Sequence, residues 1–311
     1  MLQLRITCPP DLTDGVVARL RDDPGVATLT LATGAALVPE GDLVVCEVAR
    51  ERANAVLDAL RAQGVERRGA VSVIQLDAAS RAGRLAERAA PGHESDALPW
   101  VLIEDAARDD AELSMTFLLL MALASVIATI GIAIDSPVLI IGAMIVGPEY
   151  GTLVAVAVGI RRRLTIWRAA VGTLMAGIAV AVLAATATSV IAELFGRPSF
   201  APSSRFFTHF VSEPNAYSAV VAFVAGAAGT IALARAQATA VAGVLVSVTT
   251  IPAAAAIGVD LADPDWADMG GAALQLAINL VALVVAGVVT LTLYDHSRLG
   301  RSAATRRARL P

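Results

Sequence analysis

The run from Ser136 to Ile160 places a carboxylate and helix-breaking residues inside an apolar segment long enough to cross a bilayer. Its middle reads Gly147-Pro148-Glu149-Tyr150-Gly151. Proline lacks an amide donor and clashes with the preceding turn, so we expect a helix to break or kink there. The carboxylate lies about twelve residues from either end, roughly 18 Å at 1.5 Å per residue, and so near the bilayer midplane. A broken helix with an acid at its break is typical of a binding site.

A charged carboxylate alone at the bilayer centre is costly, so Glu149 should be protonated, paired with a cation or turned to a wet cavity. The prolines at 148 and 252 free backbone carbonyls, which are good cation ligands. Hydroxyl, amide, carboxyl and carbonyl groups suit a proton, a monovalent cation or a polar solute better than an anion. The predicted site for an unidentified ion or small solute comprises Glu149, Pro148, Gly147, Thr249, Thr250, Pro252 and Asn279.

Two alternatives to a binding site stay open. Glu149 can be a protonated acid that is hydrogen-bonded between helices, and the two threonines and Asn279 can serve helix packing alone.

The sequence lacks the patterns of several enzyme classes. The histidines at 93, 209 and 296 lie outside the apolar spans, there is no GxSxG motif, and no second carboxylate stands near Glu149 in the sequence. Cys8 and Cys46 have no partner spacing for a metal or disulfide framework, and we expect both to be buried thiols in strands. We therefore expect no catalytic residues, no metal site, no cofactor, no enzymatic activity and no nucleic acid as a partner.

Composition divides the chain into an acidic soluble part and a membrane part. The 311 residues are 56% hydrophobic and have a mean hydropathy of +0.68, far above a soluble globular average. Residues 1–112 hold 19 of the 28 acidic residues but only 12 of the 24 arginines. The N-terminus has neither a basic region nor an apolar core of its own, which argues against a signal peptide.

Alternating and helical apolar patterns predict a βαββαβ order for residues 1–78, an α+β unit of the ferredoxin-like type. Units of this type serve as ligand sensors or as oligomerisation domains, which is an argument from fold alone. The predicted strands are 2–8, 26–32, 43–49 and 70–77, and the predicted helices are 11–23 and 51–63.

Residues 79–112 are predicted to be a linker and an interfacial amphipathic helix. The polar stretch 78–97 suits a linker helix, and 99–111 can place Trp100, Ile103 and Ala107 on one face. With Trp100 as an anchor, this second helix is expected to lie at the membrane surface.

Six apolar spans are predicted within 113–294, which makes this region an α-helical polytopic membrane domain. Arginines follow span two, span four and span six, whereas the opposite loops carry aspartates. By the positive-inside rule both termini and the basic tail 295–311 face the cytoplasm of a bacterial inner membrane. The spans are 113–134, 137–160, 166–194, 216–235, 238–259 and 269–293.

Spans two and five each carry a proline near mid-membrane, at 148 and 252. Interrupted helices in corresponding positions of two halves with odd span numbers are typical of inverted-repeat transporters, so we expect a 3+3 inverted repeat with broken helices. The alternative is two ordinary proline kinks.

Three runs carry a resemblance to a known family: SPVLIIGAMIVGPEYG at 136–151, GVLVSVTTIP at 243–252 and LQLAINLVALVVAG at 274–287. They resemble the bacterial "domain of unknown function 389" family of uncharacterised hydrophobic membrane proteins, from about residue 2 to about residue 294. Much of that family reads Ser-Pro-Leu where this chain reads Gly147-Pro148-Glu149, and Pro-Pro where it reads Pro252-Ala253; its asparagine matches Asn279. The resemblance implies a cytoplasmic N-terminal domain and a compact membrane domain, and it supplies no substrate.

The sequence thus favours a membrane transporter or channel-like protein, with a midplane site around Glu149. Its N-terminal domain would regulate the site or hold a homo-oligomer together within the lipid bilayer. The alternative is a membrane-anchored sensor or scaffold whose cytoplasmic domain binds a small ligand or a partner.

Overall fold

A computed structural model describes residues 1–76, 80–90, 100–195, 216–234, 250–263 and 266–307. The chain divides into two compact units. One comprises Met1–Ile103 with the residues from Tyr294 onward, and the other comprises Glu104–Leu293.

The N-terminal unit is built on a four-stranded sheet in which every neighbouring pair is antiparallel, in the order β2-β3-β1-β4. All four predicted strands and both predicted helices are present, and β2 and β3 are longer than predicted. The strands are β1 (Leu2–Cys8), β2 (Val26–Leu37), β3 (Glu40–Val48) and β4 (Ala70–Gln75). The helices are α1 (Pro10–Arg21), α2 (Arg50–Ala62), α3 (Val65–Arg68) and α4 (Arg81–Ala89), of which α3 was not predicted and α4 lies in the predicted linker helix.

Alternation along the strands explains the core of this unit. Leu2, Leu4, Ile6 and Cys8 of β1 all point to one face and are fully buried. That face packs against apolar side chains of α1 and α2, which recur at helical spacing. Cys8 and Cys46 are free and buried in β1 and β3, as the sequence predicted.

The second unit is helical. Three of its helices are long and apolar enough to cross a membrane, and a fourth span results if a bent pair is taken as one. The long helices are α6 (Met115–Ala133), α9 (Ile166–Leu194) and α12 (Trp266–Arg307), and the bent pair is α7 (Pro137–Val146) with α8 (Glu149–Arg162). The remaining helices are α5 (Trp100–Ala111), α10 (Ala216–Ala234) and α11 (Thr250–Ala262).

These boundaries confirm the break predicted in span two and leave the count of six spans a prediction. The first half of predicted span five and the loop 195–215, apart from its first residue, lie outside the described residues. Helix α12 continues to Arg307, so most of the predicted basic tail has a helical backbone.

Helices α6, α7, α9 and α11 share one apolar cluster, joined by the start of α12. A Cβ on Gly177 of α9 would lie 3.2 Å from Met121 Cγ of α6, and Ser125 Oγ of α6 donates to Ala181 O at 2.6 Å. From the first contact to the second, the residue number increases by four in both helices, so α6 and α9 run parallel.

Helices α10 and α12 also pack closely. A Cβ on Gly226 would lie 3.0 Å from Leu283 Cα, and one on Gly287 would lie 3.3 Å from Thr230 Oγ1. These contacts likewise advance together, so α10 and α12 run parallel. Glycines on both helices thus allow close helix packing.

The apolar face of α5 is buried in the protein. Trp100 and Ile103 are each 7% exposed, and Ala107 and Ala111 are each 3% exposed. Trp100 is therefore covered by protein and is not exposed as an interface anchor, whereas the position of this helix at a membrane surface stays a prediction. Sequence periodicity cannot distinguish a face that contacts lipid from one that contacts protein.

Gly258 tests the packing of α11 against α9. A Cβ there would lie 2.5 Å from both Ala185 Cβ and Val182 O, so we expect Gly258→Val to separate the helices and destabilise the protein by about 1–3 kcal/mol. A lower Tm in detergent is the readout. Gly142→Ala is the matched control, because a Cβ on Gly142 meets nothing within 4 Å and alanine is the better helix former. An unchanged Tm for Gly258→Val would contradict the close packing.

Candidate functional site

The break between α7 and α8 follows from two adjacent residues. Helix α7 ends where Gly147 takes an extended conformation, with φ −64° and ψ 129°, and α8 starts directly after Pro148. Pro148 has no N–H to continue the ladder of hydrogen bonds, so carbonyl groups of the last turn of α7 lose their intrahelical donors. The two helices meet at an angle of 53°.

Glu149 is the first residue of α8 and is 4% exposed. Its Oε1 accepts a hydrogen bond of 2.5 Å from Thr250 Oγ1, the first described residue of α11. Its Oε2 is also buried and has no hydrogen-bond partner among the described residues. The structure therefore joins two of the predicted site residues, 101 positions apart, and leaves one carboxylate oxygen available for a ligand.

Gly147 makes this approach possible. A Cβ at this position would collide with Glu149 Oε2 and would lie 2.7 Å from Ile251 Cγ1. Any larger residue would therefore push α11 away from the break. The need for glycine here comes from the close approach of a second helix and not from an unusual backbone angle.

The other predicted residues divide into two groups. Pro252 is buried near the described start of α11, one position after Ile251, so it lies beside the break. Asn279 of α12 is 1% exposed and accepts a hydrogen bond of 3.3 Å from Gln275 Nε2, one turn away. Thr249 lies outside the described residues.

Tyr150 belongs to the predicted motif but was not among the predicted site residues. It is 5% exposed, and its hydroxyl donates to Gly226 O of α10 at 3.3 Å. The same hydroxyl lies against Gly229, where a Cβ would overlap the ring. Tyr150 thus fixes the first turn of α8 to α10.

Asp110 of α5 is a second acid next to the break, although the sequence suggested none. A Cβ on Gly151 of α8 would lie 2.6 Å from Asp110 Oδ2 and 2.7 Å from its Cγ. Thr152 Oγ1 donates to Asp110 O at 3.0 Å, which holds α5 against α8. Burial, and to a smaller extent repulsion from Asp109, raises the pKa of Asp110.

Sequence reasoning also missed two buried polar residues in the helices. Gln275 is 2% exposed, and its spacing of four from Asn279 was the available signal. Asp260 was assigned to an external loop, but α11 continues to Ala262 and leaves Asp260 only 2% exposed. Periodicity could not place it because it lies within two residues of a helix end.

A carboxyl with one hydroxyl partner, one unpartnered oxygen and nearby freed carbonyls can bind a proton or a cation. Within the described ranges, no group of three or more His, Cys, Asp or Glu side chains could hold a metal ion.

Residues 144–285 match the family described as "Domain of unknown function (DUF389)". The resemblance noted from the sequence is therefore confirmed over these residues. The matched segment contains all seven predicted site residues. No curated protein and no solved structure matches the chain.

The raised pKa of Asp110 predicts a pH dependence of stability. The folded protein holds this proton more tightly than the unfolded chain, so the stabilisation is present below the ordinary value of 3.8 and is lost as pH rises through the raised value. We expect Asp110→Asn to raise the Tm near neutral pH, and the gain to shrink in acid.

Melting curves in detergent at about pH 4 and about pH 7.5 test this expectation. The control is Asp105→Asn, because Asp105 lies on the same helix but is exposed. An equal Tm gain for Asp110→Asn at both values would contradict the burial of a titrating carboxyl.

Proposed function

We propose that the protein is a membrane transporter or channel-like protein that moves a proton, a monovalent cation or a small polar solute, with Glu149 as the binding group. The observation that carries this proposal is the buried carboxylate of Glu149, which uses one oxygen on Thr250 and has no partner for the other among the described residues. A buried acceptor without a partner costs about 1–3 kcal/mol, and a bound proton or cation removes that cost.

The position of the acid supports transport more than simple packing. If Glu149 served helix packing alone, both of its carboxylate oxygens would be expected to have hydrogen-bond partners. Ser125 and Thr173 show such a packing role, because each hydroxyl donates to a backbone carbonyl. Glu149 instead lies at a helix break, where backbone groups are free to act as ligands. We propose that the carbonyls freed by Pro148 complete the coordination.

The helix arrangement supports the proposed six spans and 3+3 inverted repeat. In each proposed half the first and third helices run parallel, α6 with α9 and α10 with α12. In each half the middle segment also reaches the other half: α11 packs on α6 and α9, while α8 contacts α10 through Tyr150 and α12 through Ala157. Such an exchange of middle segments is consistent with two related halves around one central site.

The remaining features of the proposal rest on sequence patterns. We propose a multi-pass protein of a bacterial inner membrane with both termini in the cytoplasm, from the distribution of arginine. The strand order β2-β3-β1-β4 with two helices on one face supports a ferredoxin-like N-terminal unit, which would regulate transport or hold a homo-oligomer together. We propose no enzymatic activity.

Glu149→Gln tests the binding group directly. The amide keeps the shape of the side chain but carries no negative charge and cannot take up or release a proton near neutral pH. We expect wild-type protein to be stabilised by one monovalent cation or by acid in a thermal screen, and Glu149→Gln to lose that response together with flux in liposomes. Glu193→Gln, an exposed acid near the end of α9, is the control and should behave as wild type.

The same response in wild type and in Glu149→Gln would overturn the proposal. It would make Glu149 a packing residue and direct the search for a ligand to the N-terminal unit, as in a membrane-anchored sensor.

Thr250 tests the geometry around the carboxylate. Thr250→Val removes the hydroxyl that donates to Oε1 and leaves the shape nearly unchanged, whereas Thr250→Ser keeps the hydroxyl. We expect Thr250→Val to change the apparent cation or proton affinity by roughly tenfold, corresponding to about 1.4 kcal/mol for a hydrogen bond to a carboxylate. Equal affinities in the two variants would show that the hydroxyl does not orient Glu149.

A further inference from the structure

A cleft lies in the helical unit beside the corner between α5 and α6. Its volume is about 680 Å³, and α9 forms the opposite wall. Thr173 Oγ1 of α9 donates to Ala111 O at 2.8 Å and fixes the floor of the cleft. The cleft is separate from the break that holds Glu149.

One wall of the cleft carries a basic and an acidic side chain. Arg108 and Glu112 are four residues apart at the end of α5, where a favourable ion pair would be expected. Neither side chain has a hydrogen-bond or ion-pair partner among the described residues, and both residues are exposed. The neighbouring acid Glu104 is already paired, because Arg162 Nε donates to it at 2.7 Å. The cleft therefore presents a separated positive and negative group.

The other wall is apolar. Ile166, Ala169 and Gly172 of α9 face Leu113, which is 56% exposed. A Cβ on Gly172 would meet nothing within 4 Å, so this wall is open along α9. An exposed apolar strip of this kind along a candidate membrane span suits an acyl chain.

The cleft lies where the proposed spans begin. Helix α6 starts at Met115 and α9 at Ile166, both next to the cleft. Trp167 is 38% exposed, and the centroid of its ring lies 5.4 Å from Cζ of Arg168. Three further arginines, Arg161 to Arg163, lie just before the start of α9. Exposed tryptophan with arginine is typical of the headgroup level of a bilayer.

We propose that this cleft binds a phospholipid whose zwitterionic headgroup carries a primary ammonium group. Arg108 pairs with the phosphate, Glu112 pairs with the ammonium, and an acyl chain lies along Ala169 and Gly172. A headgroup with two opposite charges matches both side chains, whereas a purely anionic headgroup leaves Glu112 facing a negative ligand. The inference depends on the membrane placement proposed above and not on transport at Glu149.

The test is lipid retention by full-length protein in nanodiscs of phosphatidylethanolamine, phosphatidylglycerol and phosphatidylcholine in equal parts, measured by native mass spectrometry. We expect wild type to retain phosphatidylethanolamine preferentially. Phosphatidylcholine offers the same charges, but its methylated ammonium cannot donate hydrogen bonds to Glu112.

Arg108→Gln and Glu112→Gln should each reduce the bound phosphatidylethanolamine by roughly two- to fivefold, the range for an ion pair that stays partly exposed. Glu112→Gln should also remove the preference over phosphatidylglycerol. Arg163→Gln is the control, because Arg163 is an exposed arginine near the same end of α9 and does not line the cleft.

Unchanged retention in both cleft variants, or a wild-type preference for phosphatidylglycerol, would overturn the inference. Failure of the protein to enter nanodiscs would also overturn the inference, because it would contradict the membrane placement on which the inference depends. Loss of flux in Glu149→Gln with normal lipid retention would separate the two sites.

Discussion

The close approach of α11 to the break between α7 and α8 is the constraint on which the helical unit depends. A helix that ends at Gly147 and restarts after Pro148 leaves backbone groups without partners, and such a break is stable inside an apolar region only where other groups satisfy or use them. The absence of a side chain at Gly147 lets Ile251 and Thr250 reach Glu149. The bond from Thr250 then links α11 to the start of α8.

This arrangement explains why small residues recur along the helices. Gly177 admits Phe117 and Met121, Gly229 admits the Tyr150 ring, and Gly258 admits Ala185. Apolar surface gives little driving force between helices in lipid, so close backbone approach and buried hydroxyl bonds must hold the bundle together. A bundle packed in this way keeps the Glu149 carboxyl in a fixed position, which its proposed role as a binding group requires.

The sequence predicted the features that follow from local chemistry. Period-two alternation located all four strands, apolar periodicity located α1 and α2, and Gly147-Pro148 located the break to the residue. The sequence placed Glu149 and Thr250 in one predicted site but did not predict the hydrogen bond between them. Periodicity places residues along a helix axis and does not say which helices touch. Asp110 was missed for the same reason: it contacts Gly151 through the packing of α5, which no spacing in the sequence encodes. The burial of Trp100 by protein was missed because burial in protein and burial in lipid select the same residue types.

The two acids near the break differ in a way that bears on mechanism. Asp110 touches Gly151 and Glu149 points toward Gly147 and Thr250, and residues two apart in a helix project from opposite sides. The first turn of α8 therefore has a carboxyl on each side, one within the proposed membrane core and one on α5 outside the spans. The carboxyl of Asp110 lies against Gly151, and its backbone carbonyl accepts a hydrogen bond from Thr152. Helix α5 thus contacts α8 directly beside the turn that carries Glu149, at a helix start that lacks the continuity of an unbroken span.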